Sequence, residues 1–314
     1  MRAWWLLLGA LVLAGPAWAQ DAPEQPRPEQ PRIGIGVTGV SNFVGVWVAA
    51  DHGFFARHGL TAEITVVKEG STAIAGLVSG NFAFATPTPS VFLQAVDSGL
   101  DIVVAAPTHI YPTPNLVGIL ARPDENIRTA KDLVGKRYGV PGIGGLQDVL
   151  TRQWLIDSGV DPSKVNYVEL SFSQMNEALR GHQVDALTAG EPFYQRIIEA
   201  KNGVPVFDLR TIITPGTLGS MYASTREWIS AHPRTLAAFR ASLADAIALI
   251  KENPEEGKLS IAKWMHLPAD VMPLISVPNV TLDTDPRQMD FWIKVCLGQG
   301  MISKPIKAEQ VIWR

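Results

Sequence analysis

The amino-acid sequence predicts an α/β protein with two lobes, each a mainly parallel β-sheet flanked by helices. Short apolar segments with strand character alternate with amphipathic segments along the first third of the 314 residues. The same alternation begins again near residue 116. In each half a glycine ends a helix and a strand then runs into a turn, at 75–80 and at 177–181. A chain of this length can fill two cores.

The first half supplies four predicted strands separated by three predicted helices. Apolar segments predict strands at 33–37, 62–67, 82–85 and 102–106. Between them lie predicted helices at 42–51, 71–79 and 90–97, which stop at Gly53, Gly80 and Gly99. Because strands that alternate with helices pair in parallel, this order predicts a largely parallel sheet.

The second half repeats this organisation and then becomes mostly helical. Strands are predicted at 116–120, 137–140, 165–170, 184–187 and 204–207, with helices at 146–158, 174–180 and 191–201. From Thr225 onward the pattern favours helices, including long amphipathic stretches at 234–251 and 286–300.

The N-terminus has the pattern of an export signal. Arg2 precedes an apolar run, and Ala17 to Ala19 form an A-x-A cleavage site, so residues 1–19 are predicted to be a signal peptide. The residue directly after the cleavage site is Gln20 and not cysteine, which argues against a lipid anchor. Residues 20–31 carry four prolines and predict an extended tether, with folding expected to begin near Arg32.

Charge and cysteine content exclude several classes of protein. The formal net charge of −3 argues against a nucleic-acid partner. Cys296 is the only cysteine, so no internal disulfide is possible and the core must supply the stability. Its apolar surroundings in the sequence predict a buried, inert thiol.

A glycine-rich turn, Gly142 to Gly145, follows a short apolar strand and precedes a predicted helix. Glycines let backbone N–H groups approach a ligand closely, and a helix start adds N–H donors with partial positive charge. Such a corner can hold an anionic or polar group without Lys or Arg. It lacks the Gly-Lys-Ser/Thr ending of a nucleotide P-loop, so phosphate transfer is not implied.

Small polar residues follow several predicted strands where helices begin. In open α/β sheets, ligands bind outside the carboxyl ends of the strands. Each of these residues could instead cap its own helix, but their number favours one shared binding cleft. The candidate binding residues from this pattern are Ser41, Asn42, Gly70, Ser71, Thr86, Thr88, Gly144 and Gly145.

A few further residues are candidates on their own sequence context. His109 follows the fourth strand, where the chain would leave the first lobe. Glu191 ends a strand before a helix, and could contact a ligand or simply favour the helix dipole. The letters G-x-G-x-x-G at 34–39 lie inside the first strand, which predicts close backbone packing rather than dinucleotide binding. Candidate apolar walls of a cleft are Phe43, Trp47, Tyr111 and Tyr222.

Together, several segments resemble the periplasmic substrate-binding proteins of ABC importers, in the group for sulfonates, taurine, nitrate and thiamine-precursor pyrimidines. The resemblance covers about residues 33–307. It rests on Val48 to Phe55 with Gly59-Leu60, on the helix end at 75–80 and on Lys131 to Lys136, together with the strand–turn–helix segment 140–150 and Glu191-Pro192-Phe193.

The resemblance implies two lobes joined by two chain crossings, near 111–115 and 211–219. Lobe 1 then comprises 32–111 and 219–314, and lobe 2 comprises 112–218. A ligand would be enclosed between them by Ser41, Asn42, Gly70, Ser71, Thr86, Thr88, Gly144, Gly145 and Glu191. The chain departs from the usual pattern at Phe82-Ala83 and at Gly190, so the ligand cannot be copied from the family.

The resemblance also implies a function. The expected protein is a periplasmic monomer, neither embedded in the membrane nor an enzyme, without cofactor or metal. It would deliver a small polar or anionic organic ligand, of sulfonate, carboxylate or pyrimidine type, to an ABC permease and its ATPase by hinge closure. Two alternatives stay open: an enzyme similar to the pyrimidine synthases of this fold, against which the single cysteine and the signal peptide count, and a ligand-sensing partner of a membrane receptor.

Overall fold

A computed structural model describes residues 27–114 and 116–313, and the predicted signal peptide lies outside these residues. The described residues form two five-stranded sheets. The strands are β1 (Arg32–Thr38), β2 (Thr61–Val67), β3 (Phe84–Ala85), β4 (Ile102–Ile110), β5 (Val117–Ala121), β6 (Arg137–Val140), β7 (Asn166–Glu169), β8 (Ala186–Gly190), β9 (Val204–Asp208) and β10 (Leu218–Thr225).

Helices cover both sheets and account for most of the C-terminal third. They are α1 (Val44–Asp51), α2 (Phe54–Arg57), α3 (Gly70–Val78), α4 (Pro89–Asp97), α5 (Leu146–Asp157), α6 (Met175–Arg180), α7 (Phe193–Glu199), α8 (Arg226–Ala231), α9 (Pro233–Glu252), α10 (Pro254–Trp264), α11 (Asp290–Gly298) and α12 (Ala308–Val311).

The two sheets share one strand plan. Their orders are β2-β1-β3-β10-β4 and β7-β6-β8-β5-β9. In the first, β10 runs antiparallel to both its neighbours, and in the second β5 does so. The other pairings are parallel. The predicted fold class, two lobes each built on a mainly parallel sheet, is confirmed.

The antiparallel strands are the ones that enter from the other sheet. The chain leaves the first sheet through β4 and enters the second through β5, and it returns from β9 into β10. Strand β10 is not among the strands that the sequence predicts. Nearly all its residues are buried, Leu218 to Ser224 among them, so the alternation of polar and apolar residues that marks a half-exposed strand is missing.

The C-terminal region seals one side of the gap between the sheets. Helix α11 packs against α4 beside the first sheet and against α5 beside the second. The buried Trp292 indole N–H donates to the Leu218 carbonyl at 2.6 Å. Gln299, just after α11, donates from Nε2 to the Val149 carbonyl of α5 at 2.9 Å. The segment around α11 therefore contacts helices beside both sheets.

Folded contacts begin shortly before the first strand, inside the segment that the sequence predicts as a tether. The Glu29 carboxylate accepts hydrogen bonds from the N–H groups of Arg234 and Thr235 at the start of α9. These bonds hold the pKa of Glu29 at about 2, against the opposing effect of burial. Gln30 Oε1 accepts from the Trp228 indole N–H. Residues 29 and 30 therefore dock onto the first lobe.

Close packing explains two glycines of the G-x-G-x-x-G pattern at 34–39, Gly34 and Gly36. The aromatic ring of Phe82 lies over β1, and a Cβ added at Gly36 would come within 2.5 Å of it. A Cβ at Gly76 on α3 would come within 2.3 Å of the same ring. At Gly34 a Cβ would meet the Asn81 carbonyl oxygen at 2.3 Å. These glycines make room for neighbouring chain, as close backbone packing predicts.

Replacing Gly36 with Ala should destabilise the protein by about 1–3 kcal/mol, because the methyl group overpacks the Phe82 ring inside a buried sheet. Urea unfolding monitored by circular dichroism measures the loss. The matched control is Gly45→Ala on α1, where a Cβ finds only ordinary contacts at 3.8 Å; stability there should hold or rise. Adding Phe82→Leu to Gly36→Ala should restore part of the loss. Equal unfolding midpoints for Gly36→Ala and the wild type would contradict this account.

Candidate ligand-binding site

A cavity of about 200 Å³ lies between the carboxyl ends of the strands of the two sheets. Segments that follow β1, β2 and β3 form one wall, and segments that follow β6 and β8 form the other. The lining residues are Thr38, Gly39, Val40, Ser41, Asn42, Phe43, Lys68, Glu69, Gly70, Ser71, Thr88, Val91, Tyr111, Leu116, Val117, Pro141, Gly142, Ile143, Gly145, Leu146, Gln147, Phe172, Gly190, Glu191, Phe193 and Ser220.

Nine of the twelve candidate binding residues line this cavity. They come from both sheets and from the first chain crossing, and they are Ser41, Asn42, Phe43, Gly70, Ser71, Thr88, Tyr111, Gly145 and Glu191. The other three, Thr86, His109 and Gly144, do not line it.

The first wall consists of short polar turns. Asn42 Nδ2 donates to Ser220 Oγ at 3.3 Å, so its amide is oriented by β10. Thr88 occupies the N-cap position of α4, yet its hydroxyl makes no capping bond to that helix and lies 3.2 Å from Ser90 Oγ. Nor does a side chain cap α3, whose N-cap residue is Glu69. The capping alternative therefore does not account for Thr88 or for the start of α3.

Thr86 supports the first wall from behind. Its hydroxyl accepts the Thr38 backbone N–H at 2.9 Å and lies 3.3 Å from the Gly36 carbonyl. The side chain is fully buried. Thr86 thus ties β3 to the end of β1, where Thr38 lines the cavity.

The glycine turn before α5 uses its own N–H groups inside the protein. The Ile143 N–H donates to Glu169 Oε1 at 2.7 Å, and the Gly144 N–H donates to Asp148 Oδ2 at 2.8 Å. The Gly145 N–H donates to the Gly142 carbonyl at 3.1 Å. Three donors of the expected anion cradle are therefore occupied, two of them by carboxylates.

Gly144 faces the first lobe instead of the cavity. Its carbonyl accepts a hydrogen bond from Ser90 Oγ at 3.0 Å. Its φ of +79° suits glycine, and a Cβ there would lie 3.6 Å from Gln94 Nε2 and 3.7 Å from Met301 Cε. The turn is thus one of the places where the two lobes touch.

Glu191 is the least solvated acid of the cavity wall. Its Oε2 is shielded from solvent and has no hydrogen-bond partner among the described residues. Burial raises the pKa of Glu191 to about 7, although the Gln195 backbone N–H and the Arg210 charge oppose the shift. At neutral pH this group is balanced between its acid and its carboxylate form.

Aromatic rings supply much of the apolar wall. Phe172 and Phe193 stack with ring centroids 5.4 Å apart and line the cavity from the second lobe. Phe43 and Tyr111 line it from the other side. Trp47 and Tyr222, the other candidate walls, are buried in the core of the first lobe and do not line the cavity.

His109 lies behind Tyr111. Its ring is fully buried, with Nδ1 3.2 Å from Thr108 Oγ1, and Nε2 has no partner among the described residues. Burial lowers the pKa of His109 to about 4, so the ring is neutral at physiological pH. Its centroid is 5.5 Å from that of Tyr111. A Cβ at Gly219 would overlap the imidazole, which explains the glycine there.

The cavity also contains residues that the sequence did not single out. Lys68 and Glu69 directly follow β2, so the rule that ligands meet strand ends could have found them. Ser220 belongs to the unpredicted strand β10, so no local pattern marks it. Phe172 begins a short 3₁₀ helix, Phe172–Gln174, shortly after β7. The residues missed in this way include Lys68, Glu69, Phe172 and Ser220.

Two structural findings bear on other classes of protein. Among residues 27–114 and 116–313, no group of three His, Cys, Asp or Glu side chains is placed to hold a metal ion, and no helix has the length and apolarity needed to cross a membrane.

Cys296 is fully buried in α11, which raises the pKa of its thiol to about 12 and confirms the predicted buried thiol.

Comparison with known proteins gives the family. The family model described as NMT1/THI5 like matches residues 40–257, more than half of the chain. The chain belongs to this family. The matched range includes the segments after β1, β2, β6 and β8 that line the cavity.

Two sequence relatives and one solved structure show what this chain is similar to. The nitrate/nitrite binding protein NrtA of Nostoc is 20% identical over 259 residues, covering 74% of this chain and 57% of that protein. A Brucella abortus protein described only as a binding protein is 26% identical over 225 residues, covering 70% of this chain and 67% of that protein. The structure of the alkanesulfonate-binding protein SsuA of Xanthomonas axonopodis, bound to MOPS, superposes with a TM-score of 0.77 at 18% identity, covering 91% and 99% of the two chains.

The raised pKa of Glu191 predicts a pH dependence of stability. Between pH 4.5 and about 7 the unfolded chain loses this proton before the folded protein does, so stability falls as pH rises through that window. Relative to Glu191→Gln, the wild type should lose at most about 1.4 kcal/mol of stability per pH unit there, and the loss should level off above about pH 8, where Glu191 is ionised in both states. Urea unfolding at pH 5, 6, 7 and 8 measures the difference. Glu252→Gln at the exposed end of α9 controls for removing a negative charge away from Glu191. A difference between wild type and Glu191→Gln that does not change with pH would contradict the prediction.

Proposed function

We propose that this chain is an exported solute-binding protein that delivers a small polar organic molecule to an ABC permease and its ATPase. The observation that carries the proposal is the cavity walled by the strand ends of both sheets. Family membership supports it, since named relatives are a nitrate-binding protein and a sulfonate-binding protein. Export rests on the signal sequence predicted at 1–19.

The proposed mechanism is closure of the lobes around the two chain crossings. The crossings would be the two connections between the sheets, from β4 to β5 and from β9 to β10. A ligand that touches both walls binds the closed form more tightly, and this difference in affinity shifts the population toward closure. The Ser90–Gly144 hydrogen bond and the Gln299–Val149 hydrogen bond would add contacts that exist only when the lobes meet.

We propose the nine cavity-lining candidates as direct ligand contacts: Ser41, Asn42, Phe43, Gly70, Ser71, Thr88, Tyr111, Gly145 and Glu191. Thr86, His109 and Gly144 would act through their neighbours. Thr86 holds Thr38, His109 packs on Tyr111, and Gly144 joins the lobes. The protein is proposed to work as a monomer without a cofactor, since one chain supplies both walls.

Gly145→Asp should abolish ligand binding, because the new side chain adds bulk and negative charge at the cavity wall. We expect native mass spectrometry of wild-type protein, purified from the periplasm without refolding, to show a bound small molecule. Gly145→Asp should lose that mass while keeping its circular dichroism spectrum. Small-angle scattering should show a larger radius of gyration for the ligand-free protein.

The matched control is Gly298→Asp at the end of α11, where a Cβ has no neighbour within 4 Å. This variant should keep both the bound molecule and the compact form. The proposed function fails if the purified wild type carries no small molecule and its radius of gyration is the same as that of Gly145→Asp. If Gly145→Asp retains the molecule, the ligand binds elsewhere.

A further inference from the structure

The charges on the cavity wall differ from those suited to an anion. Among the described residues, the charged side chains that line the cavity are Lys68, Glu69 and Glu191. Carboxyl groups therefore outnumber ammonium groups by two to one, and arginine, which binds carboxylate, sulfonate and phosphate groups by paired hydrogen bonds, is missing from this described wall.

Further carboxylates surround the glycine turn. Glu169 and Asp148 accept the N–H groups of Ile143 and Gly144. Glu69 approaches from the other lobe, with Oε2 placed 3.9 Å from where a Cβ on Gly142 would stand. Arg152 Nε pairs with Asp148 Oδ1 at 2.7 Å and compensates that charge. An anion at this turn would still meet the carboxyl groups of Glu69 and Glu169 and few available donors, so the turn disfavours one.

Glu191 has a hydrogen-bonding capacity that the described protein does not use. Its Oε2 is shielded from solvent and without a partner, a state that costs free energy unless a ligand supplies the partner. No ion pair of the described residues includes Glu191. The nearby Arg210 directs Nε and Nη2 to Asp208 and Nη1 to the carbonyls of Thr113 and Pro114, and it does not line the cavity.

Apolar and aromatic surface stands beside this carboxyl group. Phe193 follows Glu191 by two residues, stacks on Phe172, and both rings line the cavity together with Phe43 and Tyr111. Aromatic faces attract cations, and they also accept the flat or apolar body of a small organic molecule.

We propose that the ligand of this site is an organic cation, whose protonated amine donates to Glu191 while its apolar body packs between the aromatic rings. The inference rests on the proposed function and sets the charge of the solute. It separates this chain from its relatives named for sulfonate and nitrate, which are anions.

The opposite possibility is an anion bound by the acid form of Glu191, and proton linkage distinguishes the two. With a pKa of about 7, Glu191 is partly protonated near neutral pH. A bound ammonium group would favour the carboxylate and release protons, whereas a bound anion would favour the acid and take protons up. The other charged or titratable groups that act on Glu191 are Arg210, Glu199 and Tyr194, with Lys68 and Glu69 in the same cavity wall.

The test compares two probes of similar shape and opposite charge, benzylamine and benzenesulfonate, by calorimetry with protein freed of its bound molecule. We expect benzylamine to bind and to release protons at pH 7, followed with a pH electrode in weakly buffered salt. Glu191→Gln should weaken benzylamine binding by about ten- to a hundredfold and abolish the proton release. Thermal unfolding confirms that the variant is folded.

Glu252→Gln, the same change at the exposed end of α9 and outside the cavity lining, should leave both readouts unchanged. Preferred binding of benzenesulfonate with proton uptake overturns the inference, and so does binding of neither probe. A preference for benzenesulfonate would leave the proposed solute-binding function intact. The solute-binding function fails on a separate result: a wild type that carries no bound molecule and has the same radius of gyration as Gly145→Asp.

Discussion

The cleft depends on one topological constraint, the double crossing of the chain between two sheets. In each sheet the first strand after a crossing, β5 in one case and β10 in the other, is inserted antiparallel into an interior position. A parallel sheet collects its loops and helix starts at the carboxyl ends of its strands. Because the crossings set the two sheets with these ends facing, turns from distant parts of the sequence become opposite walls of one cavity.

The hydrogen bonds of the glycine turn decide much of the cavity's electrostatics. A glycine-rich turn before a helix commonly offers N–H groups to an anion. In this protein Glu169 and Asp148 accept two of those N–H groups, and the turn carbonyl at Gly144 accepts Ser90 from the opposite lobe. The turn therefore acts as a rigid corner and a contact between lobes. Among the described residues, the buried polar atom of the second wall that lacks a hydrogen-bond partner is Glu191 Oε2.

Local patterns predict most helices and strands because each buries one face. Helix α5 and strands β1 and β6 lie where the sequence pattern of apolar residues and neighbouring glycines predicts them. Strand β10 is missed because it is buried on both faces and shows no alternation. Lys68 and Glu69 follow a predicted strand and were within reach of the strand-end rule, whereas Phe172 and Ser220 reach the cavity only through tertiary packing.

The sequence by itself determined the two-lobed α/β class, the positions of most elements and the residue types at the strand ends, since these follow from local periodicity, glycine stops and strand-end chemistry. Only the tertiary structure decided which of those residues face one another. Thr86 and His109 lie behind the cavity wall because their side chains are buried against β1 and Tyr111. The N–H groups of Ile143 and Gly144 are occupied because residues outside the turn, Glu169 and Asp148, accept them. Burial, which depends on neighbours distant in the chain, raises the pKa of Glu191. Its Oε2, which has no partner among the described residues, supports its proposed role.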